Sequence, residues 1–130
     1  MTYLLDVNVL LALGHGSHAM HARVEAWVSG LHKADRLATC AIAELGFVRI
    51  APQARLSPDV AAAKALLAQI LSAAKPKFVT LEDGLGVDRL PDWVKTPDQT
   101  TDGHLLALAA AHSARLATFD ARIPGALTVG

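Results

Sequence analysis

The sequence has no net charge, few aromatic residues and almost no cysteine, and each shortage excludes a class of protein. Twelve basic side chains balance twelve acidic ones, so the chain lacks the basic excess that is typical of nucleic-acid-binding proteins. Aromatic residues make up 5% of the chain, too few for a surface that stacks many bases of a single strand. The one cysteine, Cys40, excludes a disulfide within the chain and favours a reducing compartment.

Long apolar runs are also missing. No window reaches the roughly 18 apolar residues that a membrane helix needs, and the apolar stretch Val9–Leu13 has no basic leader of the kind that secretory signals carry. Hydrophobic residues nevertheless make up 52% of the 130 residues, which is enough for one buried core. We therefore expect one domain over residues 1–130, located in the cytoplasm and without membrane contact.

Short apolar segments alternate with helical patterns along the chain. The predicted strands are Tyr3–Leu5, Leu37–Ala38, Phe78–Leu81, Leu116–Phe119 and Leu127–Val129. The predicted helices are Val9–Leu13 with Asn8 as its N-cap, Ser17 to about Leu31, Thr39 (as N-cap) to about Ile50, Ser57 (as N-cap) to about Ala74, and Thr101 to about His112. This alternation is typical of an α/β fold with a parallel central sheet of four or five short strands and helices on both faces.

Acidic residues stand where predicted strands end or predicted helices begin. Asp6 follows the first strand and Asp120 follows the fourth. Glu44 and Asp102 lie in the first turns of their helices, and Asp98 is close enough to Asp102 in sequence to be a further member of the group. Because strand ends and the helix starts that follow them share one edge of a parallel sheet, we expect the four principal carboxylates on one rim.

Gathering carboxylates is costly, and the cost points to a ligand. Two carboxylates about 4 Å apart repel by roughly 4 kcal/mol at an effective dielectric constant near 20, so a cluster must bind protons or divalent cations. Oxygen ligands without cysteine favour Mg²⁺ or Mn²⁺, and such a site suits hydrolysis of a phosphodiester bond. Taken singly, each acid is equally compatible with an ordinary helix cap. The residues alone leave both interpretations open.

Four segments resemble motifs of the PIN-domain ribonucleases, in the right order along nearly the whole chain. They are Leu4–Leu11, Ala43–Arg49, Thr101–Ala109 and Ala114–Asp120. Within that family the chain is most similar to the VapC toxins of bacterial toxin–antitoxin pairs, a likeness that His18 and Trp27 extend to one VapC subgroup. Each motif is weak by itself, and the ordered set of four is specific.

The resemblance implies a metal-dependent endoribonuclease that cuts structured RNA and leaves 5′-phosphate and 3′-hydroxyl ends. Four residues take the family's catalytic and metal-binding positions: Asp6, Glu44, Asp102 and Asp120. Three others take supporting polar positions: Asn8, Thr39 and Thr118. The implied cofactor is Mg²⁺ or Mn²⁺. The implied partners are the RNA substrate, a cognate VapB-type antitoxin that lies across the active site, and a second copy of the chain in a homodimer.

Two positions depart from the family pattern. Gly103 stands where alanine is usual, and we expect it to loosen the helix start by up to about 1 kcal/mol. Arg122 stands where some relatives have a further acid, so we expect a second metal site to be weak. Together with Arg49 and His104, Arg122 is also a candidate contact for RNA or antitoxin.

Residues outside the motifs suggest how RNA is held. A basic rim around the acidic pocket is expected from Lys75, Lys77, Lys95, Arg115 and Arg122. The segment from Glu82 to Gln99 is predicted to be a long irregular loop of the kind that often carries function. Within it, Trp93 is the best candidate for a base stack or an interface. His15, His18 and His21 are expected on loop and helix surfaces rather than at a zinc site.

Two alternatives to a nuclease remain open at this point. The segment Asp6–Asn8 resembles the first motif of haloacid-dehalogenase-type phosphatases, in which Asp6 is the nucleophile. Asn8, however, replaces the acid that transfers the proton in those enzymes, and no clear lysine motif follows. The other alternative is a non-catalytic module that docks RNA or protein, against which the intact acidic set argues.

Overall fold

The computed structural model describes residues 1–74 and 76–130, so Lys75, one of the cations expected in the basic rim, lies outside the described residues. Within these residues five parallel strands form one sheet: β1 (Thr2–Leu5), β2 (Arg36–Thr39), β3 (Phe78–Thr80), β4 (Arg115–Thr118) and β5 (Leu127–Thr128). Their order across the sheet is β3-β2-β1-β4-β5. Each predicted strand is present, and the predicted α/β class is confirmed.

The described residues also form five α-helices: α1 (Val7–Gly14), α2 (His21–Ser29), α3 (Ala41–Gln53), α4 (Val60–Ala73) and α5 (Thr100–Ala111). Helix α1 packs against α2, α3 and α4, whereas α5 packs against β1 and β4. The chain first moves outward from β1 to β3 and then returns across β1 to β4, so right-handed crossovers place α5 on the opposite face from α1–α4. Helices therefore cover both faces, as predicted. None of the helices in the described chain combines the length and the apolar character needed to cross a membrane.

The core is built on the central strands. Leu4 of β1 pairs with Ala38 of β2 on one side and with Leu116 of β4 on the other, and all three side chains are fully buried. Uninterrupted apolar strands of this kind are typical of a parallel sheet that is covered on both faces. The rigid centre of the fold is thus β1 and its two neighbours, and the residues that follow these strands inherit fixed positions.

The start of α1 differs from the prediction in a way that affects the site. The N-cap is Asp6 and not Asn8, because a carboxylate oxygen of Asp6 accepts a hydrogen bond from the backbone N–H of Val7 at 2.7 Å. Asn8 lies in the first turn of the helix with its side chain exposed. Asp6 therefore combines two functions, since it ends the central strand and begins the first helix.

Helix α3 also begins one residue later than predicted. Its N-cap is Cys40 and not Thr39, because Thr39 directs its hydroxyl to the carboxylate of Glu44. Pro52 lies inside the last turn of α3. The buried Thr39 side chain is thus part of the site rather than part of a helix cap.

The start of α4 explains one of the histidines. Its N-cap is Asp59 rather than Ser57. Ser57 is buried, and its hydroxyl oxygen lies 2.7 Å from Nε2 of His15. The Nδ1–H of His15 donates to the carbonyl oxygen of Leu11, so this ring closes the end of α1. The expectation that His15 is a surface residue was wrong, because the carbonyl groups at the end of a buried helix need donors.

The segment between β3 and α5 is irregular, as predicted, and contains two short 3-10 turns, Val87–Arg89 and Pro97–Gln99. It packs closely on α5 at Gly103. A Cβ atom at position 103 would lie 2.3 Å from Cγ2 of Val94 and 3.4 Å from Cδ of Pro91. The glycine therefore does more than loosen the helix start, since it allows the loop to approach α5 beside the acidic residues.

We expect Gly103→Ala to destabilise the fold by about 1–2 kcal/mol. The clash with Val94 costs roughly 1–3 kcal/mol, and the better helix propensity of alanine offsets up to about 1 kcal/mol of it. Urea unfolding followed by circular dichroism measures the difference. Gly84→Ala is the matched control, because a Cβ there meets no atom within 4 Å. Equal stability of the two variants would contradict the packing role of Gly103.

Candidate active site

One edge of the sheet carries most of the residues that the sequence singles out. We call it the acidic edge, and we define it by the side chains at the carboxyl ends of the strands and the starts of α3 and α5: Asp6, Glu44, Asp83, Asp98, Asp102 and Asp120. Asp6 directly follows β1, Asp120 follows β4 after one residue, and Asp102 lies in the first turn of α5. The predicted placement of the acids on one edge is therefore what the topology produces.

Asp6 is the buried centre of this edge, with only 5% of its surface exposed. Burial raises the pKa of its carboxyl group, and the negative charge of Asp120 raises it further. Two hydrogen bonds act in the opposite direction, from the Thr118 hydroxyl at 2.7 Å and from the Val7 backbone N–H at 2.7 Å. The two hydrogen bonds thus hold the Asp6 carboxylate in one orientation, although its buried surroundings disfavour the negative charge.

Thr118, the last residue of β4, connects two of the acids. Its fully buried hydroxyl group donates to Asp6 and accepts a hydrogen bond from the backbone N–H of Asp120 at 3.1 Å. This one oxygen therefore fixes the Asp6 carboxylate relative to the backbone of Asp120. The geometry is that of a supporting polar residue, which is the position that the resemblance implies for Thr118.

Asp102 is half-buried on α5 and lies within electrostatic reach of the same group. Its pKa is raised by burial first and then by the charges of Asp6 and Asp120, while the Arg122 guanidinium lowers it in part. Asp98 adds a further negative charge. Three carboxylates from distant parts of the chain thus act on one another, which is the repulsion that the sequence predicts for a clustered site.

Asp120 is paired with a cation of the chain itself. Nε of Arg122 donates to one carboxylate oxygen and Nη2 to the other, each at 3.0 Å, and the backbone N–H of Arg122 adds a bond of 2.9 Å. These bonds hold the pKa of Asp120 below its usual range. The Arg122 side chain is 90% exposed, so the pair lies at the mouth of the site and not inside it.

A cavity of about 150 Å³ opens beside this pair. Asp102 and Asp120 line it, and the irregular loop contributes Trp93. The remaining lining residues are Asp98, Gln99, Arg122 and Ile123. The carbonyl oxygen of the Gln99 side chain accepts hydrogen bonds from the backbone N–H groups of Lys95 and Thr96, which fixes the loop at the cavity wall.

Glu44 reaches the same edge but not the same cavity. Its carboxylate accepts a hydrogen bond from Thr39 at 3.1 Å, and Glu44 lines an apolar groove between α3 and α4. Across residues 1–74 and 76–130, no three His, Cys, Asp or Glu side chains are grouped closely enough to hold a metal ion. The four acids therefore share an edge without forming the expected cage. Glu44 is hydrogen-bonded to Thr39, and Asp120 is paired with Arg122.

The chemistry of the group nevertheless fits a divalent cation. The available donors are carboxylate oxygens, which Mg²⁺ and Mn²⁺ prefer. Burial first, and then the negative charges of neighbouring acids, raise the pKa of Asp6 and of Asp102, and a bound cation opposes both effects. That these residues ligate metal and catalyse a reaction stays a prediction, as do the contact roles of Arg49, which is exposed on α3, and of His104.

The structure adds an acid that sequence reasoning missed. Asp83 lies just beyond β3 and is hydrogen-bonded to Nε2 of His104 at 2.5 Å, which holds the pKa of Asp83 below its usual range. Nε2–H of His112, further along α5, donates to the carbonyl oxygen of Glu82. The two histidines thus tie the end of β3 to α5. The signal was present, since an acid soon after a strand is the pattern that identified Asp6 and Asp120.

Among the described residues, two of the cations expected in the basic rim lie away from the acids. Arg115 is the first residue of β4 and Lys77 directly precedes β3, so both lie at the amino ends of their strands, on the opposite edge of the sheet. Lys95 lies in the irregular loop, and Arg122 is at the acidic edge. The prediction was wrong for Lys77 and Arg115 because residues before and after a parallel strand face opposite ends of the sheet.

Comparisons with known proteins define the class. The family model described as the PIN domain matches residues 3–126. Ribonuclease VapC44 of Mycobacterium tuberculosis is 41% identical over 129 residues, covering 95% of this chain and 89% of that protein. Ribonuclease VapC39 of the same organism is 40% identical, covering 100% of this chain and 96% of that protein.

Solved structures agree with the fold. VapBC2 from Rickettsia felis, solved with a DNA fragment from its promoter, superposes with a TM-score of 0.62 at 16% identity, over 98% of this chain and 97% of that one. VapC20 of Mycobacterium tuberculosis, described as a toxin that cleaves the sarcin–ricin loop, gives a TM-score of 0.61 at 13% identity, over 93% and 92%. At such identities these likenesses concern the fold alone.

Fold and site together define a parallel α/β protein with acidic side chains gathered at the carboxyl edge of its sheet. The chain belongs to the PIN-domain family and, within it, to the VapC type.

The raised pKa of Asp102 makes stability depend on pH. The folded state holds the Asp102 proton more strongly than the unfolded state, so ionisation of Asp102 costs stability as the pH rises above the ordinary value of 3.8. We expect Asp102→Asn to raise the free energy of unfolding at pH 7 by about 1 kcal/mol, and to lose this advantage below that ordinary value. Urea titrations from pH 3 to pH 7 measure the effect. Asp92→Asn, on an exposed loop, is the control. A destabilised Asp102→Asn at pH 7 would refute the repulsion.

Proposed function

We propose that the chain is a divalent-metal-dependent endoribonuclease that acts as the toxin of a toxin–antitoxin pair. The observation that carries the proposal is the group Asp6, Asp102 and Asp120, whose like charges act on one another at one edge of the sheet. The names of the VapC relatives, which are ribonucleases, support the same activity for this chain.

In this proposal Asp6, Asp102 and Asp120 hold Mg²⁺ or Mn²⁺, with Glu44 as the fourth acid. A divalent ion held there would lower the pKa of a bound water and stabilise the departing oxygen. Thr118 keeps the Asp6 carboxylate in one orientation through its 2.7 Å hydrogen bond.

The products follow from attack by water. The oxygen of water bonds to phosphorus while the bond from phosphorus to the 3′ oxygen breaks, which leaves a 5′-phosphate and a 3′-hydroxyl. Structured RNA is the proposed substrate. Trp93 beside the cavity offers an aromatic face to a base near the cut, and the exposed Arg122 offers a cation to a neighbouring phosphate.

The proposed partners are a VapB-type antitoxin and a second copy of the chain. The Rickettsia felis neighbour is a VapBC complex, which supports an antitoxin for this chain as well. We propose that the antitoxin lies across the acidic edge and contacts Arg122, and that the homodimer covers apolar surface such as Leu45, which is 63% exposed on α3. A cytoplasmic location is also proposed, because the single cysteine favours a reducing compartment.

The phosphatase alternative lacks its second acid. Asn8 stands where those phosphatases have the acid that transfers the proton, and its side chain is exposed in the first turn of α1. Membership in the PIN-domain family favours the nuclease as well. A non-catalytic binding module is distinguished from the nuclease by the cleavage experiment that follows.

We expect purified protein to cleave a structured RNA in Mg²⁺ and to stop when EDTA is added. Asp6→Asn and Asp102→Asn should each lower the cleavage rate by at least about 100-fold, because each removes a carboxylate that would hold the metal ion. Gel analysis of a labelled RNA hairpin measures the rate.

The matched control is Asp59→Asn. It makes the same chemical change at the N-cap of α4, where asparagine caps as well as aspartate, and should retain full activity. Equal cleavage with and without EDTA, or full activity of Asp6→Asn, would defeat the proposal. Tight RNA binding without turnover in any divalent metal would favour the binding module instead.

We expect Arg122 to raise the Mg²⁺ concentration that cleavage needs. Its guanidinium neutralises Asp120 and acts on Asp102, so it competes with a divalent cation for the same charges. We expect Arg122→Gln to lower the Mg²⁺ concentration for half-maximal activity by roughly 5-fold, because the substitution removes the competing cation. A Mg²⁺ titration of the cleavage rate at saturating RNA measures this. Arg115→Gln, at the opposite edge, should leave the requirement unchanged, and an increased requirement in Arg122→Gln would contradict the competition.

A further inference from the structure

The charges of this neutral chain are sorted between two edges of the sheet. Six carboxylates define the acidic edge at the carboxyl ends of the strands. At the amino ends, Arg36 begins β2, Arg115 begins β4, Lys77 directly precedes β3, and Lys33 lies in the turn before β2. Although the net charge is zero, acidic and basic side chains are therefore concentrated at opposite edges of the sheet.

Two of these cations are neighbours across adjacent strands. Leu37 of β2 is in register with Phe78 of β3, so the preceding residues, Arg36 and Lys77, lie side by side at the end of the sheet. Adjacent strands are about 4.8 Å apart. Both side chains are exposed, as is Lys33. Cations this close are unfavourable unless an anion accompanies them.

The turn before β2 is fixed by hydrogen bonds and leaves Lys33 and Arg36 exposed. Nη1 of Arg36 donates to the backbone carbonyl oxygens of Lys33 at 3.0 Å and Asp35 at 2.9 Å, which fixes the turn. The acid of the turn, Asp35, is buried. Its carboxylate accepts from the N-terminal ammonium group at 3.1 Å and from the backbone N–H of His32 at 2.9 Å. Asp35 is thus neutralised locally and does not pair with the lysines.

A cavity of about 470 Å³ lies among these groups. Among the described residues its wall carries three cations, Lys33, Arg36 and Lys77, together with His32, and it carries no carboxylate. Val28 and Leu31 of the preceding helix and turn supply an apolar part. We call this feature the basic cavity. A concave surface with convergent cations and no acid suits a polyanion.

We propose that the basic cavity is a second RNA-binding site, which holds the phosphate backbone of the substrate at the edge opposite the acidic edge. The identity of the polyanion rests on the proposed ribonuclease function. The acidic edge repels phosphates, and the Arg122 guanidinium beside its cavity is already paired with Asp120, so cations outside this edge are needed to strengthen RNA binding. A strand of four residues spans about 13 Å, so a folded RNA can reach both edges at once.

The test measures binding apart from cleavage. Lys33→Glu and Lys77→Glu are combined in the Asp6→Asn background, so the probe, a labelled RNA stem-loop, stays intact. Arg36 is left in place because it fixes the turn. The control combines Lys64→Glu and Arg89→Glu, which make the same change of charge on exposed residues elsewhere. Circular dichroism verifies that both variants are folded, and fluorescence anisotropy from about 50 to 200 mM salt gives the affinities.

We expect the cavity variant to lose affinity by about 10-fold or more at low salt. The slope of log affinity against log salt should fall by about 2, since each lost phosphate contact contributes roughly 0.9. The control should lose less than about 3-fold and keep its slope. Equal losses in the two variants would overturn the proposal. Unchanged RNA binding, with poly-glutamate binding that depends on the same lysines, would also overturn it in favour of an acidic protein partner.

A second readout separates this proposal from the ribonuclease itself. With Asp6 intact, the cavity variant should show a raised KM for the stem-loop and a kcat within about 2-fold of the wild type. If the wild type binds RNA through these lysines but never cleaves it, the proposed function fails and the binding site stands. If the wild type cleaves and the lysine changes alter neither KM nor affinity, the binding site fails and the function stands.

Discussion

The site depends on one buried hydrogen bond, from the Thr118 hydroxyl to the Asp6 carboxylate. It joins residues 112 positions apart in sequence and links the central strand β1 to β4. Taking a carboxylate out of water costs several kcal/mol, and only a few well-placed donors offset that cost. Here the donors are Thr118 and the first N–H of α1. Because these donors are fixed by the sheet, the position of Asp6 is fixed as well, and the other acids are arranged around it.

The same burial produces a conflict between stability and chemistry. A charge that is poorly solvated raises the pKa of its own group and of its neighbours, and it also binds a cation more strongly than an exposed charge does. Arg122 resolves part of this conflict inside the chain by pairing with Asp120 at the mouth of the site. Arg122 thus balances the charge of one acid, Asp120, while the pKa values of Asp6 and Asp102 stay raised. Local destabilisation of this kind is expected where a protein conducts chemistry.

Sequence reasoning succeeded where one rule of topology was sufficient. Strands and helices alternate, so Asp6, Asp102 and Asp120 had to reach one edge, whatever their separation in sequence. It failed where the outcome depends on which side chains meet. Thr39 was predicted to cap α3, but it binds Glu44 instead, and the pairing of Asp83 with His104 joins an edge strand to a helix 21 residues away. Such pairs depend on tertiary distances, which periodicity does not contain.

The wrong prediction of a basic rim has a different cause, because the sequence contained the information needed to place Lys77 and Arg115. The rule that puts residues after a parallel strand at one edge also puts residues before it at the other, and Lys77 and Arg115 precede their strands. Applied in both directions, the rule predicts a molecule with opposite charges at its two ends. The net charge of the whole chain is therefore a poor guide to whether a protein of this fold binds RNA. A polyanion approaches such a molecule along its field, with the basic end foremost, and the acidic end becomes compatible with phosphate only as its carboxylates are neutralised.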